Sequence, residues 1–324
     1  VRVIFDLDSK LEFSEADLDV LAVGEILSDL ISTEEVPSFK EAKQFNRYFG
    51  GSPANISINL SNLGANSALL SKVGADGIGR YLQDRLATAG VDTSGIVTSE
   101  EHNTSIVLVT QSKETPQFIA YRDAEKYITA ADIRKDLITT TKIVHLSTFA
   151  LSAPVTRKTI VEIVRVANQA NKMISLDPNY RPQLWEGAED GPEFIKNLLA
   201  EVNIVKPSLD DARALFGAGK SPREYIIEFH NAGVDLVILT LGAKGVLVST
   251  GTEELELDSV ASEVIDTTGA GDAFWSGFYA SLVDGDRLQT AVEVGNRTAA
   301  LALREVGALV ELPTKDQIRE RFEI

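Results

Sequence analysis

Short apolar runs alternate with longer amphipathic stretches along nearly the whole chain, and this constrains the fold more than any other feature. Residues 20–23, closing on Gly24, read as a buried strand. The runs at 68–73, 143–146, 173–176, 204–205 and 236–241 repeat the pattern. Between them, apolar residues at helical spacing predict helices over 53–63, 79–89, 155–170, 208–216, 272–283 and 288–303. Gly64 and Gly90 supply stops for the first two. Strands without a polar face, separated by helices, belong to a mainly parallel sheet covered on both sides. The expected fold class is therefore α/β, a three-layer α/β/α sandwich.

Two regions do not fit that sheet. Residues 26–33 alternate loosely, and 105–110 and 117–121 are β-rich runs joined by polar residues, which reads as a hairpin. Both are too polar on one face for a central sheet and are expected to form a small β lid. No repeat or low-complexity linker interrupts residues 19–324, which read as one domain. Residues 1–18 are charged and show no clear helical or strand period. They are expected to be an N-terminal extension that need not be native.

Composition removes several function classes. The chain has no Cys, so disulfides, thiolate metal sites and cysteine nucleophiles are excluded and a cytoplasmic location is the expectation. A net charge of −17 repels phosphate backbones, so no nucleic-acid partner is expected. No apolar run approaches the roughly 20 residues that span a bilayer, so no membrane role is expected either. His102, His145 and His230 lack metal-site spacing and read as structural or surface residues.

The chemistry concentrates in Asp266-Thr267-Thr268-Gly269-Ala270-Gly271-Asp272-Ala273-Phe274. Two glycines permit a tight turn whose backbone N–H groups converge at a helix start. Orphan N–H groups and the helix dipole there favour an anion, and such a site suits the charge that grows on a phosphoryl group in transfer. A carboxylate in the same turn, Asp272, can accept the proton of an attacking hydroxyl. Taken alone, the two glycines serve a simple turn, with Asp272 as a helix cap, about as well.

The whole string resembles the C-terminal signature of the ribokinase-like (PfkB) family of carbohydrate kinases. Phe49-Gly50-Gly51-Ser52-Pro53-Ala54-Asn55-Ile56-Ser57 resembles the family's N-terminal signature. The resemblance implies that Asp272 is the catalytic base and that Gly269, Ala270 and Gly271 form the anion loop. It implies sugar contacts from Asp29, Gly50, Gly51 and Asn55. It further implies ATP with Mg²⁺, held by Lys206, Ser208, Thr240, Gly242, Gly245 and Asn296 together with the glycine loop. Asp211 stands where the family places an acid that organises Mg²⁺, one carbon shorter than the usual Glu. The backbone around Asp266 and Thr268 is implied as a K⁺ site, and a homodimer through the lids is implied as the assembly.

Substrate choice rests on Asp177-Pro178-Asn179-Tyr180-Arg181-Pro182-Gln183-Leu184-Trp185, a string similar to fructokinases and 2-keto-3-deoxygluconate kinases. Arg122 and Arg181 are the expected guanidinium contacts, and a guanidinium serves a carboxylate or neutral hydroxyls equally well. The two signatures together favour phosphorylation of D-fructose to fructose 6-phosphate. 2-Keto-3-deoxygluconate comes second, with ribose, adenosine and phosphorylated fructose behind it. A catalytically silent sugar sensor would lack the base or the anion loop, and both are here. A Rossmann dehydrogenase would need Gly-x-Gly-x-x-Gly after the first strand, where Gly24-Glu25-Ile26 stands instead.

Overall fold

The computed structural model describes residues 2–111, 117–187 and 190–322. Residues 112–116, the connection of the expected hairpin, lie outside the described residues. Elements are numbered in chain order. The main sheet holds β1 (Leu18–Val23), β4 (Ser67–Gly74), β5 (Ile96–Ser99), β8 (Thr141–Ser147), β9 (Met173–Asp177), β10 (Ile204–Val205), β11 (Leu236–Thr240), β12 (Val246–Ser249) and β13 (Glu254–Leu257). Its order is β13-β12-β11-β10-β9-β8-β1-β4-β5. All neighbours are parallel except β11–β12 and β12–β13.

Side chains alternate across this sheet as a pleated strand requires. In β1, Leu21 and Val23 face one core while Val20 and Ala22 face the opposite side. The first core is covered by α3 (Lys135–Thr139), α4 (Thr148–Leu151), α5 (Pro154–Gln169), α6 (Gly191–Leu199), α7 (Leu209–Phe216) and α8 (Pro222–Asn231). The other side is covered by α1 (Ser52–Asn62), α2 (Gly77–Thr88), α9 (Ala270–Val283), α10 (Leu288–Ala302) and α11 (Lys315–Phe322). Trp275, Phe278 and Tyr279 of α9 are fully buried there, with Ile56 and Leu60 of α1 in the same cluster. The three-layer expectation holds.

The lid is a separate sheet of β2 (Leu27–Glu35), β3 (Phe45–Gly50), β6 (Ile106–Gln111) and β7 (Phe118–Tyr121), in the order β3-β2-β6-β7. β3 carries Asn46 and Arg47, and β13 alternates exposed acids with half-buried leucines, so neither strand stands out as an apolar run. Parallel strands point the same way, so the loops after β1, β8, β9 and β10 gather at one edge of the main sheet. Among the described residues, no helix is long and apolar enough to cross a membrane.

The described part of the N-terminal segment runs as a strap on the same core as the domain. Phe5 is 3% exposed, and Val3, Leu7, Leu11 and Phe13 pack against the cluster that holds Trp275. These are alternate positions in the sequence, but Ser9 breaks the period, at a turn closed by its own N–H on the Asp6 carbonyl at 3.2 Å. The strap also satisfies the start of α10, whose preceding residue Arg287 makes no side-chain cap. The N–H groups of Leu288 and Gln289 donate to the carbonyls of Ser9 and Leu7 at 3.0 and 2.9 Å. A core Phe→Ala change typically costs ~3–5 kcal/mol. Because an edge segment can peel away, Phe5→Ala should cost about 2 kcal/mol in urea denaturation, where a detached extension would cost nothing.

Candidate active site

Asp272 sits in the first turn of α9, and its carboxylate is held across the molecule by the first turn of α1. The Ser52 hydroxyl donates to Asp272 Oδ1 at 2.6 Å, and the Asn55 amide donates to Oδ2 at 2.8 Å. Helix α1 begins at Gly51 without a side-chain cap, with Pro53 next to its start. The carboxylate therefore lies at the N-termini of two helices, where both dipoles favour negative charge.

The loop before α9 is built for an anion. Gly269 takes a left-handed conformation, φ 77°, and provides no side-chain cap. A Cβ there would come within 2.5 Å of the Ala308 backbone, so only glycine fits. Among the described residues, the N–H groups of Gly271 and Asp272 have no backbone acceptor in the preceding loop. Lys206 Nζ lies 3.4 Å from where a Cβ on Gly271 would stand, and it pairs with Asp177 at 3.0 Å. Trp275 donates to the same Asp177 carboxylate at 2.8 Å.

Two cavities meet at this loop. The first, about 570 Å³, is bounded by Asp29, Gly51, Asn55, Arg181 and Asp272, with lid residues Val107, Val109 and Phe118 above. The second, about 480 Å³, is bounded by Gly242, Gly245, Phe274 and Asn296. Lys206, Thr240, Thr267 and Gly271 belong to both.

The residues singled out in the sequence fall into distinct places. Asp29, Gly51, Asn55, Arg181, Ser208, Asp211, Thr268, Gly269, Gly271 and Asp272 line the first cavity, and Gly242, Gly245, Ala270 and Asn296 line the second. Gly50 lines neither, but a Cβ on it would meet Asp29 Oδ2 at 2.3 Å, so it makes room for that carboxylate. Arg122 does not reach the cavity. Its guanidinium is spent on Glu125 at 2.6 Å, on Ser152 and on the Phe149 carbonyl at 2.9 Å, and it stacks over the Phe149 ring. Arg181 has no acidic partner among the described residues, and one N–H donates to the neighbouring Tyr180 carbonyl. Asp211 accepts from Ser208 with one oxygen and from the Tyr180 N–H with the other, in a capping box that starts α7. Asp266 spends both oxygens on Thr268 and the Gly307 N–H.

Sequence reading missed Ser52, Glu25 and Asp177 as site residues. Asp177 could have been found from its place at the C-terminal end of a buried strand. Glu25 sits 3% exposed in the cavity wall. Its Oε1 accepts from the Ser52 N–H at 3.2 Å and the Ser147 hydroxyl at 3.3 Å, while Oε2 has no partner among the described residues.

Burial sets the charge state here. Desolvation pushes Glu25 up to about 8. Desolvation, then the nearby Asp272 charge, pushes Asp29 up to about 7. Desolvation raises Asp272 to about 6, opposed by the Ser52 and Asn55 hydrogen bonds and by Lys206, and reinforced by Asp177. Burial and Asp177 also raise Asp211.

Comparisons with known proteins give the family. The sequence model described as pfkB family carbohydrate kinase matches residues 17–315. The chain belongs to the pfkB family of carbohydrate kinases. It is 43% identical to the ATP-dependent 6-phosphofructokinase of Thermoanaerobacterium thermosaccharolyticum over 321 residues, covering 99% of each chain. It superposes on the fructokinase of Halothermothrix orenii with a TM-score of 0.79 at 42% identity, covering 86% of this chain and 98% of that one. It superposes with a TM-score of 0.82 at 31% identity on a sugar kinase of Pyrococcus horikoshii solved with ATP, covering 93% and 97%. The protein is thus a sugar kinase.

Two outcomes follow for the kinase. A base must be ionised to accept a proton, so with Asp272 in the role expected for it kcat/KM should fall as pH drops through about 6, the value to which it is raised. Glu25 and Asp29 bind protons more tightly folded than unfolded, so each contributes stability that is complete below its unfolded value and is lost as pH rises through its folded one. With folded values of about 8 and about 7, the melting temperature of the ligand-free protein should decline between pH 5 and pH 8. Glu25→Gln removes one of those titrations and should flatten the decline by roughly 2–4 °C, read by calorimetry.

Proposed function

We propose that this kinase transfers the γ-phosphoryl group of ATP to a primary hydroxyl of a sugar, with D-fructose to fructose 6-phosphate as the favoured reaction. The observation that carries this is the shared wall of the two cavities, with Asp272 on one side of the anion loop and the Gly242–Asn296 cavity on the other. The sugar lies under the lid, with Asp29, the Gly51 backbone and Asn55 as its polar partners. Asp272 takes the proton of the reacting hydroxyl. The sugar oxygen bonds to the γ-phosphorus as the bond from phosphorus to the ADP oxygen breaks. The free N–H groups at the start of α9 and the α9 dipole stabilise the charge on the transferring group.

Metal fits as a companion of the nucleotide. Among the described residues, no group of three or more His, Asp or Glu converges to hold an ion. Asp211 is the nearest acid of the expected set, and hydrogen bonds already engage both its oxygens. Mg²⁺ would accordingly take its ligands chiefly from phosphate and water and would neutralise charge on the phosphates. The backbone around Asp266 and Thr268 is the proposed K⁺ position, since the Asp266 side chain is engaged in holding its own loop. The lid's edge strand β7 exposes Ile119 (42%) and Tyr121 (57%), which favours pairing with a second copy there.

The 42% identity to a protein named fructokinase supports fructose. Fructose 6-phosphate is the second reading, favoured by the 43% identity to a protein named 6-phosphofructokinase. Arg181, a cation at the cavity without an acidic partner among the described residues, could meet a phosphate or sugar hydroxyls. A panel of fructose, fructose 6-phosphate, 2-keto-3-deoxygluconate and ribose with ATP and Mg²⁺, followed by ADP release, decides between them. Fructose should give the highest kcat/KM, and a higher value with fructose 6-phosphate would replace the first reading by the second. Asp272→Asn should lower kcat by ~10²–10⁴ while leaving ATP affinity nearly unchanged. Turnover close to wild type in that variant would remove Asp272 as the base.

A further inference from the structure

Every hydrogen bond to the charged form of a carboxylate favours that form and lowers its basicity. Asp272 has a donor on each oxygen, and the shorter of the two bonds is the one from Ser52, 2.6 Å against 2.8 Å from Asn55. Burial disfavours its ionisation, and so does the Asp177 charge. Asp29 on β2 and Asp177 at the end of β9 are acids on the same cavity, and so is Glu25 in the loop after β1. Two cations line that wall: Lys206, after β10, which favours the Asp272 charge but is paired with Asp177, and Arg181 in the loop after β9.

Ser52 is itself fixed from behind. Its N–H donates to Glu25 Oε1 at 3.2 Å, and that same oxygen accepts from Ser147 on β8. Pro53 follows directly, and its ring locks φ at the start of α1. The hydroxyl is thereby presented to Asp272 by a rigid first turn and not by a mobile loop.

We propose that Ser52 is a positioning residue for the base: its hydroxyl, anchored through Glu25, keeps the Asp272 carboxylate ionised within an acidic cavity and orients it toward the sugar. The inference rests on Asp272 being the base. Ser52 touches no reacting atom in this scheme and acts through Asp272 alone. Without its hydrogen bond, desolvation and the Asp177 charge raise the Asp272 proton affinity unopposed on that oxygen, so more of the kinase is protonated and silent at a given pH.

The test is the pH profile of kcat/KM for Ser52→Ala, Ser52→Thr and Asp272→Asn, with the preferred sugar and ATP–Mg²⁺. Ser52→Ala should move the acid limb upward by about 0.5–1 pH unit, in line with the loss of one hydrogen bond to the charged form. Activity lost at pH 6 should be largely recovered at pH 8. Ser52→Thr keeps the hydroxyl and should restore the wild-type limb, which separates a positioning role from simple packing. An acid limb in Ser52→Ala that coincides with wild type overturns the proposal, as does a loss of the same factor at every pH. An active Asp272→Asn variant overturns the assignment of the base instead, so the two failures are distinguishable. Circular dichroism and the melting temperature of each variant confirm that the comparison is between folded proteins.

Discussion

The bonds from Ser52 and Asn55 to Asp272 join residues 220 and 217 positions apart, and the site depends on them. They bring the first turns of α1 and α9 to one carboxylate. That geometry is available only because both helices cover the same side of the sheet and share one apolar cluster. Ile56 and Leu60 pack with Phe274, Trp275 and Phe278, so burial holds the helices together and their polar N-termini are carried to the same edge. The packing supplies the energy, and the hydrogen bonds supply the direction.

Close approach is the second constraint. At Gly269 a side chain would collide with the Ala308 backbone, and at Gly50 with the Asp29 carboxylate. One glycine lets the anion loop seat against residue 308, and the other lets a sugar-facing acid stand beside the lid strand β3. Charge follows from the same crowding. Glu25, Asp29 and Asp272 are taken out of water near one another, so each holds its proton to a higher pH than it would in solution. Ligand-free stability and the protonation state of Asp272 are therefore linked through one acidic pocket.

Much of the architecture was legible because buried parallel strands read as continuous apolar runs, as in β1, β4, β8 and β11. The edge strands β3 and β13 were not legible, because they carry polar residues on an open face. The strap at residues 2–17 was hidden for a different reason. Its apolar residues alternate, but Ser9 stands where the period needs one more, and its backbone partners lie on α10. Arg122 shows the reverse failure. Its place at the end of the lid suggested a sugar contact, yet Glu125, three residues on, captures it.

The sequence by itself determined the class of fold, the order of its elements, the glycine loop with its adjacent acid, and the family to which these belong. Those are local properties: a run of apolar residues, a turn that only glycine allows, a carboxylate within one helical turn of it. Tertiary structure alone decided that Ser52 and Asn55 hold that carboxylate, that Glu25 backs Ser52, that Gly50 clears Asp29, and that two cavities meet at Gly271. The reason is physical. Hydrogen bonds and desolvation depend on atoms a few ångströms apart, and here those atoms come from segments separated by most of the chain.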